Sequence, residues 1–343
     1  MWNGAATGSQ NVLVTGGAGY IGSHACKALA QAGYNPVTLD NLSTGHRHAV
    51  RWGPMFEVDL RNTSAVERIL REQRIEAVIH FAAHAYVGES MSEPAKYFRN
   101  NVANTLGLLE AMQSAGVDRI VFSSTCATYG VPESVPIDED QRQCPVNPYG
   151  ESKLFVERAL GWLGAANGLR WMSLRYFNAA GADPDGEIGE EHDPETHLIP
   201  LTIQTALGQR ESLAIFGDDY PTEDGTAVRD YIHVSDLADA HVRALRHLNT
   251  GGESLAMNLG TGVGHSVCQV IDMVQQVGGR RVDARVAARR DGDPPVLVAA
   301  SGKAQQVLDW RPRHSSLETI VQTAWHWHSR CASSEQARSA IAA

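Results

Sequence analysis

The sequence predicts an α/β chain: a Rossmann-type doubly wound parallel sheet with a smaller, interleaved C-terminal unit. Three observations carry this expectation. Short β-branched runs alternate with helical patterns through the first half of the chain. A glycine-rich turn, Gly16-Gly17-Ala18-Gly19-Tyr20-Ile21-Gly22, joins the first strand-like run to a helical pattern with Ile21, Ala25 and Leu29 on one face. From about Asn178 the alternation gives way to a long polar stretch rich in Gly, Pro and acids, followed by mixed helical, strand and loop pieces.

Taken in order, strands are expected at Val12–Thr15, Pro36–Asp40, Met55–Asp59, Ala77–Ala82, Arg119–Ser124 and Trp171–Tyr176. Helices are expected to start near Gly19, Thr63, Pro94 and Pro148, the last two at a proline whose fixed φ suits a first helical turn. Residues 1–178 would form the dinucleotide-binding domain, with later returns near 230–260, and residues 179–343 the smaller substrate-binding one. In open sheets of this kind ligands bind outside the carboxyl ends of the strands, so a cap over that edge makes the second wall of a cleft. The tails, Met1–Gln10 and Cys331–Ala343, are small and polar and are expected to fray.

The 343 residues carry 29 Lys and Arg against 39 Asp and Glu, a net charge of −10. That balance argues against general attraction to nucleic acid or anionic membrane, so a phosphorylated ligand must be held by a few local donors. No apolar run reaches membrane-spanning length and the N-terminus lacks a basic region followed by an apolar stretch, so a soluble, cytoplasmic protein is expected. The five cysteines are scattered without a Cys-x-x-Cys pair and are read as buried small hydrophobes. No metal is expected: His46 and His48 lack a third ligand, and the acidic run Glu187–Glu195 reads as a solvated loop without regular ligand spacing.

In the glycine turn, Gly16 permits the tight bend, Gly19 lets the backbone approach a pyrophosphate, and Gly22 allows close packing of helix on strand. Freed N–H groups at the helix start then receive the anion. Asp40 ends the next strand, where a carboxylate accepts hydrogen bonds from an adenosine ribose diol and repels a 2′-phosphate. Asn41 and Leu42 follow rather than Arg, which favours NAD over NADP. Asp59 ends the third expected strand and could meet adenine or cap the helix before Thr63.

Tyr149 and Lys153 form a Tyr-x-x-x-Lys pair one helical turn apart, and a nearby cation lowers a phenol pKa towards working pH. Thr125 closes the run Phe122-Ser123-Ser124-Thr125 at the carboxyl end of a strand, placed to share a proton with the tyrosine and a substrate oxygen.

With these motifs the chain resembles the extended short-chain dehydrogenase/reductases, and among them the UDP-sugar 4-epimerases. TGGAGYIGSH, LDNLSTG, VIHFAA, NPYG-x-SK, LRYFNAAGA, HLIP, DYPTEDGT-VRDYIHV and NLGTG carry the resemblance, with other segments in the same order from about Asn11 to Ser329. It implies a reversible NAD-mediated oxidation at sugar C4 through a 4-keto intermediate, and a homodimer built from the helices near Pro94 and Pro148. It implies that Tyr149 is the base and acid at the 4-hydroxyl, that Lys153 binds the nicotinamide ribose, and that Thr125 bridges tyrosine and substrate. It lines the NAD site with Gly16, Gly19, Tyr20, Ile21, Gly22, Asp40, Asn41, Asp59, Leu60, Phe81, Ala82, Ala83, Asn100 and Tyr176. The UDP-sugar would meet Asn178, His197, Leu198, Ala214, Phe216, Arg229, Tyr231, Arg290 and Asp293. Arg229 and Arg290 suit a diphosphate clamp, since a guanidinium binds phosphate oxygens bidentately.

The chain departs from the family at His84-Ala85-Tyr86, where many members carry a lysine, and Leu297 takes the position associated with N-acetylated substrates. Rival readings are a 4,6-dehydratase or decarboxylating synthase, net NAD-dependent oxidation, and a non-catalytic NAD sensor. Cys126-Ala127-Thr128 after Thr125 supplies no acid for elimination, and no cysteine has activating neighbours. A sensor would have no use for the tyrosine, lysine and threonine together.

Overall fold

The computed structural model describes residues 9–290 and 292–342, so the first eight residues of the N-terminal tail lie outside the described residues. Strands β1 (Asn11–Thr15), β2 (Asn35–Asp40), β3 (Met55–Glu57), β4 (Ala77–His80), β5 (Arg119–Thr125) and β6 (Arg170–Tyr176) alternate with helices. These are α1 (Tyr20–Gln31), α2 (Thr63–Glu72), α3 (Val87–Ser92), α4 (Pro94–Tyr97), α5 (Asn104–Ala115) and α6 (Pro148–Asn167). Next come β7 (Asn178–Ala180), α7 (Leu198–Ala206), β8 (Leu213–Phe216), β9 (Val228–His233), α8 (Val234–Asn249) and β10 (Leu255–Leu259). The chain ends with β11 (Gly264–Ser266), α9 (Val267–Gly278), β12 (Ala284–Ala287), β13 (Val296–Leu297), α10 (Gly302–Leu308) and α11 (Leu317–Ala342).

The main sheet has the order β3-β2-β1-β4-β5-β6-β10, every pairing parallel. Its order reverses between β1 and β4, and the crevice at their carboxyl ends is where such sheets take ligands. Both faces are buried, as the apolar run of β1 requires. Val12 and Val14 join one core with Leu29 of α1 and Leu245 of α8, whereas Leu13 joins the other with Ile69 of α2, Leu108 of α5 and Leu160 of α6. A smaller sheet, β11-β9-β13 with β7 paired to β9, and a two-stranded β12-β8 ribbon come from the later segments. A third core, including Ile203, Ile215, Val270 and Ile320, holds these pieces together.

Several expected boundaries shift. β3 stops at Glu57 because Asp59 turns its carboxylate to the backbone N–H of Arg61 at 2.9 Å, bending the chain. The cap before Thr63 is Asn62, not Asp59; its side chain accepts from the Ala65 N–H. β4 ends at His80, since the N–H groups of Phe81 and Ala82 both turn to the Thr15 carbonyl. The helix from Pro94 contains a π-helical stretch, Phe98–Ala103, between α4 and α5. The C-terminal tail expected to fray is helical as far as Ala342, in keeping with its alanine-rich sequence. Only Cys26 and Cys126 are buried; Cys144 is exposed and the others are intermediate.

Candidate active site

The glycine turn closes over the switch point of the sheet. Gly16 has φ +73°, and a Cβ there would stand 2.7 Å from the Ala82 nitrogen. At Gly22 a Cβ would fall 2.1 Å from the Gly16 carbonyl oxygen, so α1 can seat on the turn only without a side chain. Gly19 starts α1 with no side-chain cap, which leaves first-turn N–H groups for an anion. This bare backbone cradle fits a dinucleotide pyrophosphate.

Asp40 lies beside the cradle at the end of β2. Its carboxylate accepts from the N–H groups of Ala18 at 3.0 Å and Leu42 at 2.8 Å, and burial raises its pKa against those bonds. Asn41 donates to Asp59 at 2.9 Å, and the side chain of Arg61 holds Asp59 down to about 2. Leu60 is buried in the core below. Phe81 packs its ring 4.7 Å from His241. Asn100 lies in the π-helical stretch and donates to Asn101, whose buried side chain also receives the His84 N–H and donates to the His84 carbonyl and Ser152. Asn101, absent from the sequence reading, thus fixes the loop after β4 against α6; the Asn-Asn pair was the available signal.

At the carboxyl end of β5 the reactive residues meet. Asn147 caps α6 by accepting from the Gly150 N–H at 2.8 Å, which starts the helix with Tyr149 and Lys153 on one buried face. Lys153 donates to the Ser123 carbonyl at 2.8 Å and lies 6.0 Å from the Tyr149 ring centroid. Thr125 accepts from the Ala127 N–H at 3.2 Å. Ser123 shares a 2.8 Å hydrogen bond with the Tyr176 hydroxyl.

The electrostatics correct the sequence expectation. Burial pushes the Tyr149 phenol up, with Tyr176 adding to the rise, while the Thr125 hydroxyl acts to lower it. Burial also brings Lys153 down to about 7, against the pull of Glu157 one turn along α6. Between protein groups alone the dry site therefore favours both neutral forms, and proximity of the ammonium does not outweigh desolvation. Behind it, Glu157 accepts from Ser124 at 2.5 Å and from Arg175 at 2.7 Å, and Arg175 donates to Tyr129 at 2.8 Å. Sequence spacing gave no signal for this buried network.

The second wall places Asn178 opposite Tyr231, and Leu297 opposite Arg229. Arg229 pairs with Asp293 at 2.5 Å, and the Arg290 guanidinium lies 4.1 Å from the Phe216 ring centroid. Ala214 shares the exposed face of β8 with Phe216. Leu297 packs on the cluster containing Cys126, the neighbour of Thr125. His197 precedes Leu198 at the start of α7 and pairs through Nδ1 with Glu190 and Glu195, each at 2.9 Å.

The acidic segment is not a solvated loop. Lys27 of α1, nearly buried, donates to Asp183 at 2.8 Å and to Asp185 at 2.7 Å, and pairs with Glu187 at 2.7 Å. Glu191 joins His46 and His48, supplying in space the third group absent in sequence. Tyr20 donates to the Gly181 carbonyl at 2.6 Å, so the segment is fastened to the cofactor turn.

The profile of the NAD dependent epimerase/dehydratase family matches residues 12–260. The UDP-glucose 4-epimerase of Rhizobium meliloti is 54% identical, over 94% of this chain and 98% of its own length. The structure of UDP-glucose 4-epimerase from Brucella ovis in complex with NAD is 52% identical with a TM-score of 0.91, covering 93% of this chain and 98% of that one. The enzyme from Bifidobacterium longum in complex with NAD+ and UDP is 35% identical with a TM-score of 0.89, covering 94% and 98%.

Proposed function

The chain belongs to the NAD dependent epimerase/dehydratase family, and we propose that it is a UDP-glucose 4-epimerase interconverting UDP-galactose and UDP-glucose with NAD as cofactor. The observation that carries this reading is the meeting of Thr125, Tyr149 and Lys153 at the carboxyl end of β5, in a chain about half identical to such enzymes over nearly its full length. Bound NAD supplies a hydride acceptor and donor for C4 of the sugar.

The residues of this chain divide the remaining work. Tyr149 takes the proton from the 4-hydroxyl and returns it, and Thr125 bridges phenol and substrate oxygen. Lys153 orients the nicotinamide ribose, and its ammonium opposes the rise that burial imposes on the phenol. Gly16, Gly19, Tyr20, Ile21 and Gly22 hold the pyrophosphate. Asp40 takes the adenosine ribose, and Asn41, Asp59, Leu60, Phe81, Ala82, Ala83, Asn100 and Tyr176 line the rest of the NAD site. Residues 1–178, with returns near 230–260, form the cofactor domain, and 179–343 bind the sugar nucleotide through Asn178, His197, Leu198, Ala214, Phe216, Arg229, Tyr231, Arg290 and Asp293. Firm grip on the nucleotide, far from C4, leaves the 4-keto sugar room to turn its other face to the hydride.

The protein is proposed to work as a cytoplasmic homodimer. Met91 and Trp162 are 62% and 77% exposed, and with Phe98 and Phe155 they place apolar side chains on α3, the π-helical stretch and α6, a surface a second copy would cover. Proton NMR of the enzyme with UDP-galactose, UDP-N-acetylgalactosamine and UDP-xylose tests the function. The C4 epimer must form without accumulating NADH, and the ranking of the three reads the part played by Leu297. Absence of any epimer from folded, NAD-loaded protein refutes the reading.

A further inference from the structure

The segment leading into α7 gathers four donors of the kind that bind transition metals. Glu190, His192, Glu195 and His197 each present one ligand atom, all within 4.8 Å of one another. His192 Nδ1 lies 3.1 Å from Glu190 and 3.6 Å from Glu195, and His197 Nδ1 lies 2.9 Å from each carboxylate. Zinc bonds of about 2.0–2.1 Å at tetrahedral angles set neighbouring ligand atoms about 3.3–3.4 Å apart. The four histidine-to-carboxylate separations each lie within about half an ångström of that spacing.

Three features suit one shared centre. His192 Nδ1 is buried between the two carboxylates and aligned for a good hydrogen bond to neither. The side chains of Glu190 and Glu195 are 4% and 5% exposed, so two carboxylates are held out of water and call for a balancing double positive charge. The same carboxylates raise both imidazoles above their ordinary pKa, so two imidazolium rings balance them when no ion is bound, and one divalent ion on two neutral imidazoles would carry the same charge. Glu195 also accepts from the N–H groups of Thr196 at 2.7 Å and His197 at 2.8 Å, contacts that fix a ligating carboxylate in place.

We propose that Glu190, His192, Glu195 and His197 bind one divalent transition-metal ion of the zinc type. The ion pins the acidic segment beside the cofactor turn, where the His192 ring meets Tyr20 and Tyr86 edge-on, each at 6.2 Å between centroids. Its role is structural. Ligation through Nδ1 leaves Nε2 of His197 for the sugar nucleotide, and the site does not depend on the proposed reaction.

Tag-free full-length protein, stripped with a chelator, re-equilibrated with micromolar Zn2+ and desalted, tests the site through its metal content. One zinc per chain and a raised Tm are expected, and Co2+ in its place should give the intense visible absorption of a tetrahedral centre. His192→Asn and Glu195→Gln should each weaken zinc binding by at least about tenfold. The double variant His46→Asn with His48→Asn should keep the ion, separating this cage from its more exposed neighbour. Negligible zinc on the wild-type protein, or full retention by folded His192→Asn and Glu195→Gln, overturns the proposal. Should those variants not fold, X-ray absorption of the wild-type zinc decides: a first shell other than two nitrogens and two oxygens overturns it.

Discussion

The Lys153 ammonium nitrogen lies 2.8 Å from the carbonyl oxygen of Ser123, so the first turns of α6 are tied to the last residues of β5. That bond orients the lysine beneath the Tyr149 ring while Thr125, two residues on from Ser123, lies on the same strand end. Helix and strand thus present phenol, lysine and hydroxyl as one unit.

Tyr149→Phe keeps the ring in its buried place and removes the proton relay. Epimerisation should fall by about 10²–10⁴-fold, the usual contribution of a positioned acid–base group, with bound NAD unchanged by absorbance of the released cofactor. Activity near wild type would remove the tyrosine from its assigned role.

Burial lowers Lys153 from its ordinary value of 10.5 to about 7. The unfolded chain therefore binds more protons at this residue between those values, and its contribution to stability rises with pH across that window. Cofactor-stripped Lys153→Met should be stabilised relative to wild type most at pH 7, with the advantage shrinking towards pH 10 in thermal melts. A constant difference would contradict the shift.

At Gly22 a Cβ would press on the Gly16 carbonyl, whereas at Gly88 it would meet nothing within 4 Å. Gly22→Ala should lose most of its co-purifying NAD and Gly88→Ala should keep it. Equal NAD content in the two purified variants would show that the turn is less tightly packed than its geometry requires.

Arg290 stacks on Phe216 at 4.1 Å. Arg290→Ala should raise KM for the UDP-sugar about tenfold, the loss of roughly one charge-assisted contact, with kcat changed little. Adding Phe216→Ala should cost less than the sum of the single effects, because each removes the partner of the other. Strict additivity would separate them.

Lys27 balances three carboxylates while itself nearly buried. Lys27→Met leaves Asp183 buried without its cation and should cost about 3 kcal/mol in denaturant unfolding. A loss below about 1 kcal/mol, the range of an exposed pair, would show that the segment relaxes into water.

The sequence by itself determined the parallel sheet, the glycine cradle and the Tyr149–Lys153 pair. Each depends on short-range rules: apolar runs for buried strands, glycine where a Cβ cannot fit, and a four-residue spacing for one helix face. Tertiary structure alone decided what long-range contacts control. Glu157 and Arg175 are 18 positions apart yet form a buried pair behind the site, and Lys27 reaches across 156 residues to Asp183. The same distance explains the acidic segment. Read locally, Glu190 and Glu195 belong in water; folded against α1 and α7, they are buried because His192 and His197 arrive beside them. The phenol of Tyr149 follows the same logic, since spacing reveals its cation but only burial reveals the desolvation that opposes it.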